Sequence, residues 1–151
     1  ARLAALEELG RKAVLDVSIS ADIELELWRK FLVLTPASGM SCLTRLPMGR
    51  IRETPPSWRL IEEAMDELIA VGQAEGVGLG EADKQIGVRG IRDMMPPTWR
   101  GSLVLDLEAG RRLEVEWLHG TICRLGEKHG IDTPFHRVVL GALMPHANGA
   151  N

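Results

Sequence analysis

Only one segment of the chain has the pattern of a β-strand, and no second segment follows for it to pair with. Residues 12–18 (KAVLDVS) carry Val14, Leu15 and Val17, with Ile19 just beyond, and residues of this kind favour extended backbone. A lone strand leaves its N–H and C=O groups without partners, so the sheet it needs is expected outside this sequence. From Asp22 onward the apolar residues recur with helical period and no alternating segment appears. The fold class expected is therefore all-α, with a short N-terminal strand left over.

Start and stop signals divide the helical part. The opening residues read as the end of a helix stopped by Gly10. A helix capped by Asp22 runs through ELELWRKFLVL, is interrupted or bent at Pro36 and Gly39, and resumes to Leu43. Residues 46–56 read as a loop. A long helix follows Pro55 and Pro56, with Ile61, Met65, Leu68 and Gly72 on one stripe, and ends near Gly76. A weaker helix over 81–95 is loosened by Gly87 and Gly90 and broken by Pro96 and Pro97. A short helix over 99–109, a strong one over 113–128 and a last one over 133–143 complete the set, leaving HANGAN as a frayed tail.

Composition narrows the function classes. A chain of 151 residues, 45% hydrophobic and 26% charged, suffices for one sizeable core. Net charge of −3 offers no basic field for nucleic acid or anionic lipid. The longest uncharged stretch, 31–44, is short and holds Pro36, Ser38, Gly39 and Ser41, so no membrane span is expected. Arg2, Glu7 and Glu8 interrupt any secretory signal. Cys42 and Cys123 are too few for a disulfide framework or a cysteine zinc site, which points to the cytoplasm. The chain begins with Ala1 rather than Met, as a piece of a longer or processed protein would.

Two charges stand on apolar stripes. In the helix after Asp22, Ile23, Leu27 and Leu34 share a narrow arc at 3.6 residues per turn, and Lys30 lies about 20° outside it. Lysine is scarce, four against fourteen arginines. A lysine there must snorkel, pair with an acid or lose its charge. In the helix expected over 113–128, Glu114 shares an arc with Leu118, Thr121 and Leu125, while Glu116 faces elsewhere. These residues can be a general acid and its partner carboxylate, a buried structural ion pair, or charges at stripe ends that reach water. The four histidines show no ligand spacing and read as surface or loop residues, and no metal site is expected. Gly76-Val77-Gly78-Leu79-Gly80 follows a helix rather than a strand, so it lacks the geometry of a phosphate loop. Cys123 reads as a packing thiol.

Trp28-Arg29-Lys30-Phe31 resembles the W-x-K-[FL] helix of the ketopantoate (2-dehydropantoate 2-) reductases. Ser102 to Glu116, with Asp106, Gly110, Arg111 and Glu114, is similar to that family's S-M-x-x-D-x-x-x-G-R-x-T-E-[IL]-[DE] motif. Leu118-His119-Gly120, the stretch from Gly126 through His129-Gly130 to Thr133-Pro134, and the loop Leu43 to Gly49 extend the likeness. It covers residues 18–143. The resemblance implies an all-helical C-terminal domain of the ketopantoate reductase / 6-phosphogluconate dehydrogenase type over 21–151, with 1–20 as the tail of an N-terminal Rossmann domain and its linker. It implies catalysis in a cleft between the two domains, with NADPH bound mainly by the domain not in this sequence. The implied partners are a small-molecule 2-keto acid, the protein's own Rossmann domain and a second copy in a homodimer.

By position, Lys30 matches the family's catalytic lysine, which implies protonation of the ketone oxygen. Glu114 matches its active-site glutamate, implied to bond the substrate hydroxyl and orient the lysine. Ser102 matches the serine that helps hold the substrate carboxylate, and Ser38 stands in a substrate-binding position. The family has Asn at the positions of Leu34, Ser38 and Met48, and Thr at Leu113. A site without those amides selects differently. Leu34 and Met48 are expected to line a cavity shared by Lys30, Glu114 and Ser102. A sister reductase for a more apolar carbonyl compound, or a non-catalytic helical dimerisation module, are the alternatives.

Overall fold

The computed structural model describes residues 2–150 and consists of helices joined by short connections. α1 spans Arg2–Lys12, α2 Ile23–Thr44, α3 Met48–Arg52, α4 Pro55–Ala74 and α5 Glu81–Arg89. A π-helical turn, Gly90–Met94, prolongs α5. α6 spans Ser102–Glu108, α7 Val115–His129 and α8 Pro134–Leu143, which runs into a 3₁₀ turn, Met144–His146. None of the described helices is long and apolar enough to cross a membrane.

α2 is the axis of the domain. Its start is fixed by Asp22, whose Oδ1 accepts a 3.0 Å hydrogen bond from the Leu25 N–H, satisfying a donor of the first turn. Its end is fixed by Arg45, in the left-handed region at φ 59°, whose N–H donates to the Ser41 carbonyl. Every residue from 35 to 42 is buried, and α3, α4, α5, α6, α7 and α8 all pack against α2. Small residues permit that crowding. A Cβ on Gly39 would come within 2.7 Å of His119 Cε1. Pro36 removes one backbone hydrogen bond but does not end the helix, since its neighbours hold the turn from all sides. α4 contributes Ile61, Met65, Leu68 and Val71 to the core, all fully buried.

Four expectations need correction. Residues 12–18 form no strand; among the described residues no β-ladder exists for them to join. The segment folds back on α1 instead, with the Ile19 N–H donating to Glu7 Oε1 at 3.3 Å, and Val14, Leu15, Val17 and Ile19 remain exposed. The loop over 46–56 contains α3, whose Met48 and Gly49 N–H groups donate to the Trp99 and Pro97 carbonyls at 3.0 and 2.8 Å. Those bonds hold residues 95–101 as a loop, so α6 begins at Ser102 rather than at Trp99. The tail is pinned rather than frayed: Leu113 N–H donates to the Ala147 carbonyl at 2.9 Å and Ala150 N–H to the Gly110 carbonyl at 2.8 Å.

The histidines also divide. His119 and His136 are fully buried, not on the surface. Glu67 on α4 bonds His136 Nδ1 at 2.6 Å and accepts the N–H groups of Phe135 and His136 at 2.8 and 3.2 Å. Its carboxylate thereby serves the first turn of α8 from another helix. His119 lies 5.2 Å from His136, ring centre to ring centre, and neither of its nitrogens has a partner. Burial, then the nearby His136 charge, holds the His119 imidazole well below its ordinary pKa.

Candidate functional site

Three elements and one loop enclose a cavity of about 600 Å³. α2 supplies Leu27, Trp28, Lys30, Phe31, Leu34 and Ser38. The turn into α6 supplies Gly101 and Ser102, the loop before it Trp99, and the start of α7 Glu114, Leu118 and Thr121. Lys30, Ser38, Ser102 and Glu114, all singled out in the sequence, therefore meet at one cavity, although Lys30 and Glu114 are 84 positions apart.

The local reasons are visible. Lys30 and Leu34 stand one turn apart on α2 and face the same way. Glu114 is the residue before α7 rather than part of it, with φ −85° and ψ 18°. It still lines the cavity with Leu118 and Thr121, so the helical arc indicated the right face although the helix starts later. Gly101 lets two walls approach: a Cβ there would sit 2.8 Å from Ser38 Oγ and 3.2 Å from Trp99 Cη2.

The site departs from expectation in two ways. Lys30 and Glu114 are exposed, not buried on packing surface. Ile23, Leu27 and Leu34 on the same arc are exposed as well, at 63%, 58% and 36%, because the elements packed on α2 cover its other faces. Among the described residues Lys30 and Glu114 form no structural ion pair; the neighbouring Arg29 is the one committed, to Asp83 at 2.7 Å and Glu26 at 3.1 Å. Met48 does not line the cavity. Its side chain is fully buried in the core, and its contribution is the backbone bond that seats the Trp99 loop.

Thr121 lines the cavity, but its hydroxyl is engaged elsewhere: it donates to the Trp117 carbonyl at 2.7 Å and accepts from Arg124 Nη2 at 2.9 Å. Trp99 is not marked by any sequence motif, because nothing local shows where the loop that carries it will lie. The described residues contain no group of three or more His, Cys, Asp and Glu side chains placed to hold a metal ion. Both cysteines are free and buried, and burial pushes the Cys42 thiol up to about 12 and raises that of Cys123 as well.

Residues 22–147 match the C-terminal family of the ketopantoate reductases (PanE/ApbA), and the chain belongs to that family. A 2-dehydropantoate 2-reductase of Archaeoglobus fulgidus is 31% identical over 136 residues, which cover 90% of this chain and 45% of that protein. The chain thus spans about half the length of the curated relatives it matches. The crystal structure of a PanE/ApbA-family ketopantoate reductase from Ralstonia eutropha superposes with a TM-score of 0.86 at 30% identity, over 95% of this chain and 48% of that one. D-mandelate dehydrogenase, solved with NADH and anilino(oxo)acetate, shares the fold at 18% identity and a TM-score of 0.78, over 97% of this chain and 81% of that one.

Proposed function

We propose that residues 21–151 are the helical domain of a two-domain, NADPH-dependent reductase of 2-keto acids, of the 2-dehydropantoate 2-reductase type, and that residues 1–20 end its N-terminal Rossmann domain. The observation that carries this reading is that Lys30, Ser102 and Glu114, from separate elements, line one cavity. A non-catalytic helical module gives no reason for them to meet. The exposed apolar faces support a covering domain: α1 buries none of its residues, and Leu3, Leu6 and Leu9 are each more than 60% exposed.

The glycine-rich stretch 76–80 does not fit a dinucleotide's phosphates. At the glycine-rich stretch before α5, the Gly80 N–H donates to Asp83 Oδ2 at 2.9 Å, so a carboxylate already occupies the place where a phosphate would sit. On this reading the cofactor is bound mainly by the other domain. In this domain the Lys30 ammonium donates a proton to the ketone oxygen as charge develops on it. Ser102, with Ser38, donates hydrogen bonds to the substrate carboxylate. Glu114, facing the same space, orients the ammonium and accepts a hydrogen bond from a substrate hydroxyl where there is one.

The test is NADPH oxidation by the full-length protein with 2-keto acids. Lys30→Ala should lower kcat by about two to four powers of ten, the range for losing a general acid. An unimpaired Lys30→Ala enzyme returns Lys30 to an ordinary surface charge.

A further inference from the structure

The cavity offers few polar groups to a ligand. Thr121 has its hydroxyl committed to Trp117 and Arg124, so what it can present to the cavity is its methyl group. The Thr35 hydroxyl is sealed from solvent. Apart from the indole N–H groups of Trp28 and Trp99, what remains is Lys30, Ser38, Ser102 and Glu114. A 2-keto acid uses the first three: two hydroxyls for the carboxylate and the ammonium for the keto oxygen. Glu114 is exposed, so a substrate without a hydroxyl leaves it hydrated rather than buried and unpaired.

The rest of the substrate meets carbon. Trp28 and Phe31 form an edge-to-face pair with ring centres 6.1 Å apart. Leu34 stands one turn beyond Lys30, and Trp99 supplies a further aromatic wall. Trp99 is held by its backbone, through Met48 N–H to its carbonyl and its own N–H to the Pro96 carbonyl at 2.9 Å. Its indole edge reaches the Ser38 side because residue 101 is glycine. The backbone of Gly101, at φ −62° and ψ 155°, suits any residue. The glycine is therefore required for contact, not for conformation.

We infer that Trp99, seated by Gly101, is a specificity-determining residue, and that the site takes 2-keto acids whose side chain is flat and apolar, such as an aryl group stacked on the indole. This rests on the reductase reading above.

The test compares kcat/KM of the full-length enzyme for phenylglyoxylate, pyruvate and ketopantoate. Phenylglyoxylate should be preferred over both by about tenfold or more, the scale on which apolar pocket contacts discriminate. Trp99→Ala should reduce the phenylglyoxylate-to-pyruvate ratio by about tenfold while leaving pyruvate within about threefold, and Trp99→Phe should keep most of the preference. Trp99→Leu, which keeps apolar volume without the flat face and is the deciding variant if Trp99→Ala does not fold, should lower the same ratio. A ratio unchanged in these variants, a parallel fall for all three acids, or a preference for ketopantoate overturns the inference and leaves the reductase reading intact. Failure of the full-length protein to reduce any 2-keto acid removes both.

Discussion

Replacing His119 by leucine should change the pH dependence of stability more than stability itself. The imidazole is fully buried, with both nitrogens unpartnered. Burial first, and the His136 charge second, hold its pKa well below the ordinary 6.5. Below pH 6.5 the unfolded chain therefore takes up a proton at this position that the folded chain refuses. Stability contributed in this way is complete above 6.5 and falls as pH drops through the window between the unfolded and folded values, by about 1.4 kcal/mol per unit for one proton. Between pH 7.5 and pH 5.0 the loss assignable to His119 is about 2 kcal/mol. His119→Leu keeps a similar volume against Gly39, Phe135 and His136 and removes the titrating group. At neutral pH, removing two unpaired polar atoms offsets the altered packing, so the net change there should stay within about 1–2 kcal/mol. The assay is urea unfolding followed by tryptophan fluorescence, for both proteins at both pH values. The Glu67–His136 pair is present in both, so the double difference isolates His119. A double difference below about 0.5 kcal/mol would show that His119 is not kept neutral by the fold, because a proton excluded from the folded core must appear in it.

Other consequences can be checked as directly. Asp22→Ala should destabilise the domain by about 1 kcal/mol in urea unfolding, through loss of the bond that caps α2. Gly39→Ala should cost about 1–3 kcal/mol, because the new methyl overlaps the buried His119 ring and approaches Val139 Cγ2 at 3.2 Å; an unchanged melting temperature would mean that the ring has room to move. The chain of residues 1–151 alone should show no micromolar binding of NADPH by calorimetry, since Asp83 already takes the Gly80 N–H of its glycine-rich stretch.

The sequence alone specifies the helices with strong local signals. Asp22 and the Pro55–Pro56 pair marked where α2 and α4 start, Gly130 where α7 stops, and helical period the face on which each lies, because caps and period act over a few residues. It also determined that Lys30 and Glu114 lie on faces shared with leucines, and motif spacing added Ser102, which periodicity alone did not mark. Tertiary structure decided whether those faces are buried. The arc of Ile23, Leu27 and Leu34 has the pattern of a core stripe yet is exposed, because apolar period reports a face and not what covers it. The strand-like residues 12–18 remain irregular for the same kind of reason: a strand is completed only by a partner. Met48, expected at the cavity, lies in the core and Trp99 lines the cavity, through two backbone bonds between distant segments, and His119 and His136 became core residues because α4, α7 and α8 close around them. Contacts of this kind join residues tens of positions apart, and no local rule encodes them.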